Sequence, residues 1–288
     1  MPGPVLLRPS PALAPHVQFF GYWQNTQATT HRSRALPRGA ATVIIDLDSR
    51  AQVDFYAADA TTRLDVGAAF IAGAGVTSYV TRIDPSQTVL TVHFRPGGAS
   101  AFLPAPLHDL EDECVSLEAI WGRAATDLRA RLIDARSIPE RRALVESFLL
   151  ARMRSRDPAV SAVLHAAECR PSLRVAEACA LTGLSARRLI SSFRSEVGLT
   201  PKTYLRVRRF QAAMRLLDAG DVRGARIATD LGYFDQAHFV REFRSFTAMT
   251  PTQYTQHRTW LPSHVGVGAG LGVGAGKNIQ DPGAAERA

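Results

Sequence analysis

The sequence predicts an α+β protein, in which a β-rich N-terminal part precedes an all-helical C-terminal domain. The first ninety-five residues are short apolar or alternating runs separated by Gly, Pro, Asp and Ser, which favours a small β-barrel or sandwich. Between residues 158 and 257, apolar residues recur at helical spacing. The chain has 288 residues, 46% hydrophobic and 21% charged, which suits about two domains and excludes a disulfide scaffold or a disordered chain.

The turn-forming residues divide the β-rich part into six predicted strands, at 17–24, 41–48, 52–57, 64–72, 76–83 and 88–95. The pattern changes at Pro96-Gly97-Gly98, and we predict helical segments at 99–103, 116–121, 124–135 and 139–154. Asp157 and Pro158 then suit the N-cap and first position of the next helix.

The charged residues are unevenly distributed along the chain. Residues 1–155 contain 16 basic and 15 acidic residues, whereas residues 156–260 contain 16 and 9. Residues 261–288 contain two of each, and their Gly/Ala-rich composition predicts a disordered tail. These three segments are the predicted domains, and the basic excess of the second favours a polyanionic partner.

Membrane and secretory signals are absent from the sequence. No apolar run approaches the roughly 20 residues of a spanning helix, and the N-terminus lacks a signal-peptide pattern. Cys114, Cys169 and Cys179 are far apart, so neither a zinc cluster nor a disulfide framework is indicated. We therefore predict a cytoplasmic protein without membrane contact.

An internal repeat occurs at an offset of fifty residues. Phe-Arg-Ser at 193–195, Thr-Pro at 200–201 and Tyr204 recur as Phe-Arg-Ser at 243–245, Thr-Pro at 250–251 and Tyr254. Gly-Leu-Ser at 183–185 and Gly-Tyr-Phe-Asp at 232–235 precede the two copies with a one-residue slip. We interpret these as two copies of one supersecondary unit.

Each copy has the pattern of a helix-turn-helix. Gly183 and Gly232 supply the turns, and Ser185 and Asp235 suit the N-caps of the second helices. Cys179 and Ala228, four residues before the glycines, are small enough for two helices to cross closely. The predicted structural residues are Cys179, Gly183, Leu189, Phe193, Pro201, Ala228, Gly232, Phe239, Phe243 and Pro251.

The segment 173–258 resembles the DNA-binding domain of AraC/XylS-type transcriptional regulators. The residues that carry the resemblance are Ile227-Ala228, Gly232-Tyr233, Asp235-Gln236-Ala237-His238-Phe239, Arg241, Phe243-Arg244 and Met249-Thr250-Pro251. It implies seven helices, with 203–218 joining the two units, and it departs from the family at Ala248, where glycine is usual. Residues 92–99, 106–107, 117 and 121–122 more weakly resemble a sensor domain of such regulators, which implies a cupin-like barrel.

DNA reading requires a helix whose exposed residues reach base edges in the major groove. The outward positions of the second helices are Ala186, Arg187, Ile190, Ser191, Gln236, Ala237, Val240 and Arg241. Among them we favour Arg187 and Ser191 in the first unit, and Gln236 and Arg241 in the second. The predicted phosphate contacts, whose alternative is a solvated surface, are Arg194, Arg206, Arg208, Arg209 and Arg244.

The resulting hypothesis is a regulator that places two helices in successive major grooves of double-stranded DNA. Its predicted partners include RNA polymerase, a small-molecule effector at the N-terminal domain and a second copy of the chain. One alternative is an enzyme with a catalytic β domain that the helical domain localises; another is a ligand-independent regulator. No metal-ligand spacing or nucleophile motif is evident, so we predict no enzyme activity, no catalytic or metal site and no cofactor.

Overall fold

The computed structural model describes residues 5–26, 29–48, 54–220, 223–259 and 263–267. Within these ranges, two antiparallel sheets occupy the N-terminal part and the C-terminal part is helical, which confirms the predicted α+β class. The strands are β1 (Val5–Leu7), β2 (Val17–Gln24), β3 (His31–Ala35), β4 (Thr42–Asp46), β5 (Asp54–Tyr56), β6 (Arg63–Leu64), β7 (Ala69–Ala72), β8 (Tyr79–Ile83), β9 (Thr88–Phe94), β10 (Cys114–Ser116) and β11 (His264–Gly266).

The helices follow the strands along the chain. They are α1 (Leu117–Trp121), α2 (Arg123–Asp134), α3 (Ile138–Leu150), α4 (Pro158–Cys169), α5 (Val175–Thr182), α6 (Ala186–Val197), α7 (Pro201–Asp218), α8 (Gly224–Asp230), α9 (Gln236–Thr247) and α10 (Pro251–His257). Two short 3-10 helices, Gly98–Ala101 and Leu107–Leu110, connect the sheets to the helices.

The two sheets pack face to face. The first has the order β1-β2-β9-β4-β7-β10 and the second β11-β3-β8-β5-β6. Side chains alternate along a strand, so Ile44 of β4 enters the core between the sheets, while Val43 and Ile45 enter the core on the opposite face. Helices α1 to α3 cover that opposite face, which leaves the first sheet buried on both sides.

The strands differ from the prediction at several places, and β1, β3, β10 and β11 were not predicted. The segment His31–Ala35 has no apolar alternation and was not expected to be a strand, yet it pairs along its length with β8. Its inward residues are polar, His31 and Ser33, and are 7% and 1% exposed. The single strand predicted at 64–72 is two strands, because Gly67 adopts a φ of 68° between them.

Within the described ranges the C-terminal part contains seven helices, α4 to α10, of which six lie inside the segment 173–258 that carries the family resemblance. They enclose two apolar cores. One core contains Leu189 and Phe193 of α6, and the other contains Phe239 and Phe243 of α9. The long helix α7 contributes to both, with ten buried residues along its 18-residue length.

The last described strand returns to the N-terminal domain. β11 pairs antiparallel with β3, and the Leu36 N–H donates to the Ser263 carbonyl at 2.8 Å. Val265 is fully buried and packs in the core that α7 and α10 share with Leu36. The prediction of a disordered tail from residue 261 is therefore wrong for residues 264–266, and residues 268–288 lie outside the described ranges.

We expect Val265→Ala to lower the free energy of unfolding by about 2 kcal/mol, because it removes two buried carbon atoms from a packed site. Urea denaturation of the full chain measures this. Val5→Ala is the matched control, since Val5 lies on the outer strand β1 and is 41% exposed. Equal effects of the two substitutions would contradict the packing role of β11.

Candidate nucleic-acid interface

The first helix-turn-helix unit consists of α5 and α6. Gly183 ends α5 in the left-handed conformation, with φ 67°, and the Ser185 side chain then accepts a hydrogen bond from the Arg188 N–H. Leu189 and Phe193 are fully buried against the helical core. Because these two residues fix the inner face of α6, its opposite face is directed outwards.

The second unit consists of α8 and α9. Gly232 has a φ of 71°, and Asp235 Oδ1 accepts a 2.6 Å hydrogen bond from the His238 N–H at the start of α9. Phe239 and Phe243 occupy the places that Leu189 and Phe193 occupy in the first unit. The two units thus present their second helices by the same combination of cap and buried aromatic or aliphatic residues.

The small residue that allows the helices to cross differs from the prediction in the first unit. Cys179 is only half-buried, and Ala178 is the fully buried residue of α5. Counted back from the N-caps Ser185 and Asp235, Ala178 is equivalent to Ala228, which is 2% exposed. The glycines are not equivalent in this count because the second turn is one residue longer. Cys179 still packs against the core of the first unit, beside the more deeply buried Ala178.

The predicted base-reading residues lie on the outer faces of α6 and α9. Of these positions only Val240 is half-buried, and the others are exposed: Ala186, Arg187, Ile190, Ser191, Gln236, Ala237 and Arg241. The Gln236 side chain lies close to Gly224 at the start of α8. Both outer faces therefore offer Arg, Ser or Gln donors beside small or aliphatic residues.

The five arginines predicted to contact phosphate fall into three groups. Arg194 and Arg244 are exposed on α6 and α9. Arg206 and Arg209 approach Glu242, with distances of 2.8 and 3.7 Å from their Nε atoms to its carboxylate oxygens. Arg208 is 8% exposed, and this burial argues against the predicted contact with a DNA phosphate.

Glu242 ties α9 to α7. It lies on the inner side of α9 and is 7% exposed, and the guanidinium groups of Arg206 and Arg209 also lie over the rings of Phe246 and Tyr233. Burial and the nearby Glu242 carboxylate raise the pKa of Tyr233. This buried ionic cluster fixes the orientation of α9 relative to α7.

Two exposed residues near the interface were not predicted. Phe234 is 92% exposed in the turn before Asp235, and Arg188 is exposed in the first turn of α6. Exposing a large aromatic side chain to water is unfavourable in free energy, so the position of Phe234 is notable. The one-residue slip between the two repeats indicates that the second turn has an extra residue, and this slip could have drawn attention to Phe234.

Both second helices end at a residue in the left-handed conformation. Gly198 ends α6 with φ 87° and Ala248 ends α9 with φ 59°, fifty residues later. Thr200 and Thr250 then cap the next helices, and Pro201 and Pro251 occupy their first positions. The strained residue is Ala248, because its Cβ disfavours the left-handed conformation.

The histidines of the β domain lie in separate environments. His31 contacts the Trp23 ring, and His16 contacts the Phe102 ring. His93 stacks on Phe19, and its Nδ1 atom lies 2.6 Å from Arg38 Nη1. Burial together with the Arg38 charge lowers the pKa of His93 well below the usual value.

In the described ranges, no three His, Cys, Asp or Glu side chains converge as metal ligands. No helix in these ranges is long and apolar enough to cross a membrane.

Comparison with protein families gives two matches. Residues 178–257 match the family described as a helix-turn-helix domain, and residues 6–116 match a family described as a domain of unknown function. The first match begins within α5 and ends with α10, and the second match covers most of the two sheets.

Two curated relatives are similar to the helical part. The F1 operon positive regulatory protein of Yersinia pestis is 38% identical over 79 residues, which are 27% of this chain and 26% of that protein. An uncharacterized HTH-type transcriptional regulator of Haemophilus influenzae is 31% identical over 74 residues, 26% of this chain and 25% of that protein. The chain thus spans about a quarter of the length of these relatives.

Solved structures show more distant likenesses. ToxT from Vibrio cholerae aligns with 82% of this chain and 97% of its own, at 10% identity and a TM-score of 0.44. A transcriptional regulator with an AraC-type DNA-binding domain from Chromobacterium violaceum aligns with 34% of this chain and 89% of its own, at 22% identity and a TM-score of 0.32.

We expect Ala248→Gly to raise the free energy of unfolding by about 1 kcal/mol, because it relieves the left-handed strain at the end of α9. Gly198→Ala is the reciprocal control and should lower that free energy by about 2 kcal/mol, since its Cβ would lie 2.9 Å from the Leu107 carbonyl oxygen. Urea denaturation measures both. A destabilising Ala248→Gly would contradict the assignment of strain.

Proposed function

We propose that this chain, which carries an AraC-type helix-turn-helix domain over residues 178–257, is a DNA-binding transcriptional regulator that reads duplex DNA with α6 and α9. The observation that carries the proposal is the repeated unit itself. Both second helices expose a polar outer face, and each is held by an N-cap and two buried side chains. That arrangement suits insertion of one helix into the major groove.

The outer faces also have suitable chemistry for base readout. Arg187 and Arg241 can donate two hydrogen bonds to guanine, and Gln236 can pair with adenine. Ile190 is 41% exposed and offers an apolar contact for a thymine methyl group, together with Ala237 and the half-buried Val240. Exposed Arg194 and Arg244 are the residues that we assign to phosphate contacts.

Selection of binding sequences from random duplexes by the full-length chain tests the proposal. We expect an asymmetric motif with two elements about 10 bp apart, one for each unit. Metal analysis of the same preparation addresses the enzyme alternative. Stoichiometric metal without any enriched motif would contradict the proposal.

We further propose that a small-molecule effector acts through the β domain. A cavity of about 160 Å³ lies between the two sheets, with Trp23, Phe55, Tyr79 and Ile83 among its lining residues. Thermal-shift screening of metabolites, followed by measurement of DNA affinity with each hit, tests this. A hit that binds without changing DNA affinity would favour a regulator that does not respond to ligands. Contacts with RNA polymerase and with a second copy of the chain stay predictions.

We expect Arg241→Ala to weaken binding to the selected sequence by about 1–3 kcal/mol and to relax the preference at one base pair. Binding to random DNA should stay nearly unchanged. The matched control is Arg244→Ala, three residues later on the same helix, which should weaken both kinds of binding equally. Equal losses for Arg241→Ala on both DNAs would assign it to the backbone.

We expect Arg194→Ala to reduce the salt dependence of DNA binding by about 0.9 in the slope of log K against log salt, the contribution of one phosphate contact. Titrations at several salt concentrations measure this slope. Arg131→Ala, an exposed substitution on α2 in the β domain, is the control that should leave it unchanged. An unchanged slope for Arg194→Ala would remove that residue from the interface.

A further inference from the structure

A polar cleft of about 460 Å³ separates the β domain from the helical domain. Gln18, Arg38 and His93 line it from the β domain, and α4 and α7 form the opposite wall. Its volume is within the roughly 300–1,000 Å³ of small-molecule sites. The cleft is distinct from the outer faces of α6 and α9.

Arg208 of α7 lines this cleft, and its buried positive charge has neither a close carboxylate nor a full set of hydrogen bonds. Its side chain is 10% exposed, and its Nε and Nη2 atoms have no hydrogen-bond partner within the described part of the chain. Its paired carboxylate, Glu168 of α4, is 4.0 Å from Nη2 and is 65% exposed. A buried guanidinium group in this state is costly unless an anion binds to it.

The charges around Arg208 increase the need for an anion. Among the described residues, five arginines and two carboxylates line the cleft: Arg38, Arg95, Arg156, Arg208, Arg215, Glu168 and Asp218. Asp218 already accepts a hydrogen bond from the Tyr254 hydroxyl and lies 3.4 Å from Arg258. Arg156 lies 3.9 Å from Glu196, and little negative charge remains for the other arginines of the cleft.

The pKa values of two arginines near Arg208 reflect the same excess of positive charge in the cleft. Burial, and then the charge of Arg208, lower the pKa of Arg38 to about 10. Burial and Arg208 also lower the pKa of Arg215. Arg38 lies in the β domain and Arg215 on α7, so the repulsion acts across the cleft.

We propose that this cleft binds a small organic dianion, a phosphate ester or a dicarboxylate, whose oxygens accept hydrogen bonds from Arg208. Guanidinium groups bind both kinds of oxyanion through paired hydrogen bonds. Leu164 and Met214 in the lining offer contacts for the organic part of the ligand. Because its walls belong to both domains, the bound anion holds the β domain against α7.

Thermal melting of the full-length chain tests the site without DNA, using inorganic phosphate and malonate as probes and sodium chloride at matched ionic strength as the reference. We expect a saturable rise in Tm with at least one of the two probes. The probe with the larger effect distinguishes a phosphate ligand from a carboxylate ligand. No rise beyond that in chloride would overturn the proposal.

Arg208→Met should raise the apparent Kd of the effective probe at least tenfold, and Arg131→Met on α2 should leave it unchanged. Without a probe, Arg208→Met should melt no lower than the unchanged chain, because it removes an uncompensated buried charge. If instead Arg208 is a structural partner of Glu168, both Arg208→Met and Glu168→Gln lower Tm and the probe effect persists, which overturns the proposal. Arg215→Met, which should also weaken the probe effect, provides a second variant should Arg208→Met fail to fold. Since no DNA is present, these results are independent of the proposed DNA binding.

Discussion

The burial of α7 on most of its surface is the constraint on which the rest of the structure depends. Tyr204 and Leu205 enter the core of the first helix-turn-helix unit, and Phe210 and Met214 enter the core of the second. A third side of the helix faces the β domain, where the Gln211 side chain donates to the Pro37 carbonyl. A helix fixed in three directions cannot rotate or shift without disturbing all of its neighbours. The relative positions of α6, α9 and the sheets are therefore set by one 18-residue segment.

Local patterns in the sequence were sufficient to predict the helical domain. Ser185, Asp235 and the glycines of the turns act through interactions within a few residues, so their roles can be read from spacing alone. The strand β3 could not be predicted in this way, because its inward residues are polar and its stability comes from pairing with β8 and β11. Ala178 is buried more deeply than the predicted Cys179, a difference that alignment on the N-caps rather than on the glycines of unequal turns would have indicated.

The arginines of α7 show why composition alone could not define the interface. Arg206 and Arg209 are three residues apart and share one side of the helix, where Glu242 binds them. Arg208 is rotated away from both and faces the cleft. Helical periodicity predicts this separation, but only the tertiary packing shows that each side is occupied by another part of the protein. The basic excess of the helical domain thus serves internal pairing and the cleft as well as the outer surface.

The pairing of β11 with β3 has a consequence for the order of folding. Nearly the whole described chain lies between these two strands, so β3 remains an open sheet edge on one side until the C-terminal segment has been synthesised. Contacts between such distant residues form late, since closing the intervening loop carries an entropic cost before the contact stabilises it. During translation, the β domain and the helical domain can each fold before β11 forms. Formation of β11 then completes this edge of the sheet and adds to the other contacts between the two domains, such as the hydrogen bond from Gln211 to the Pro37 carbonyl.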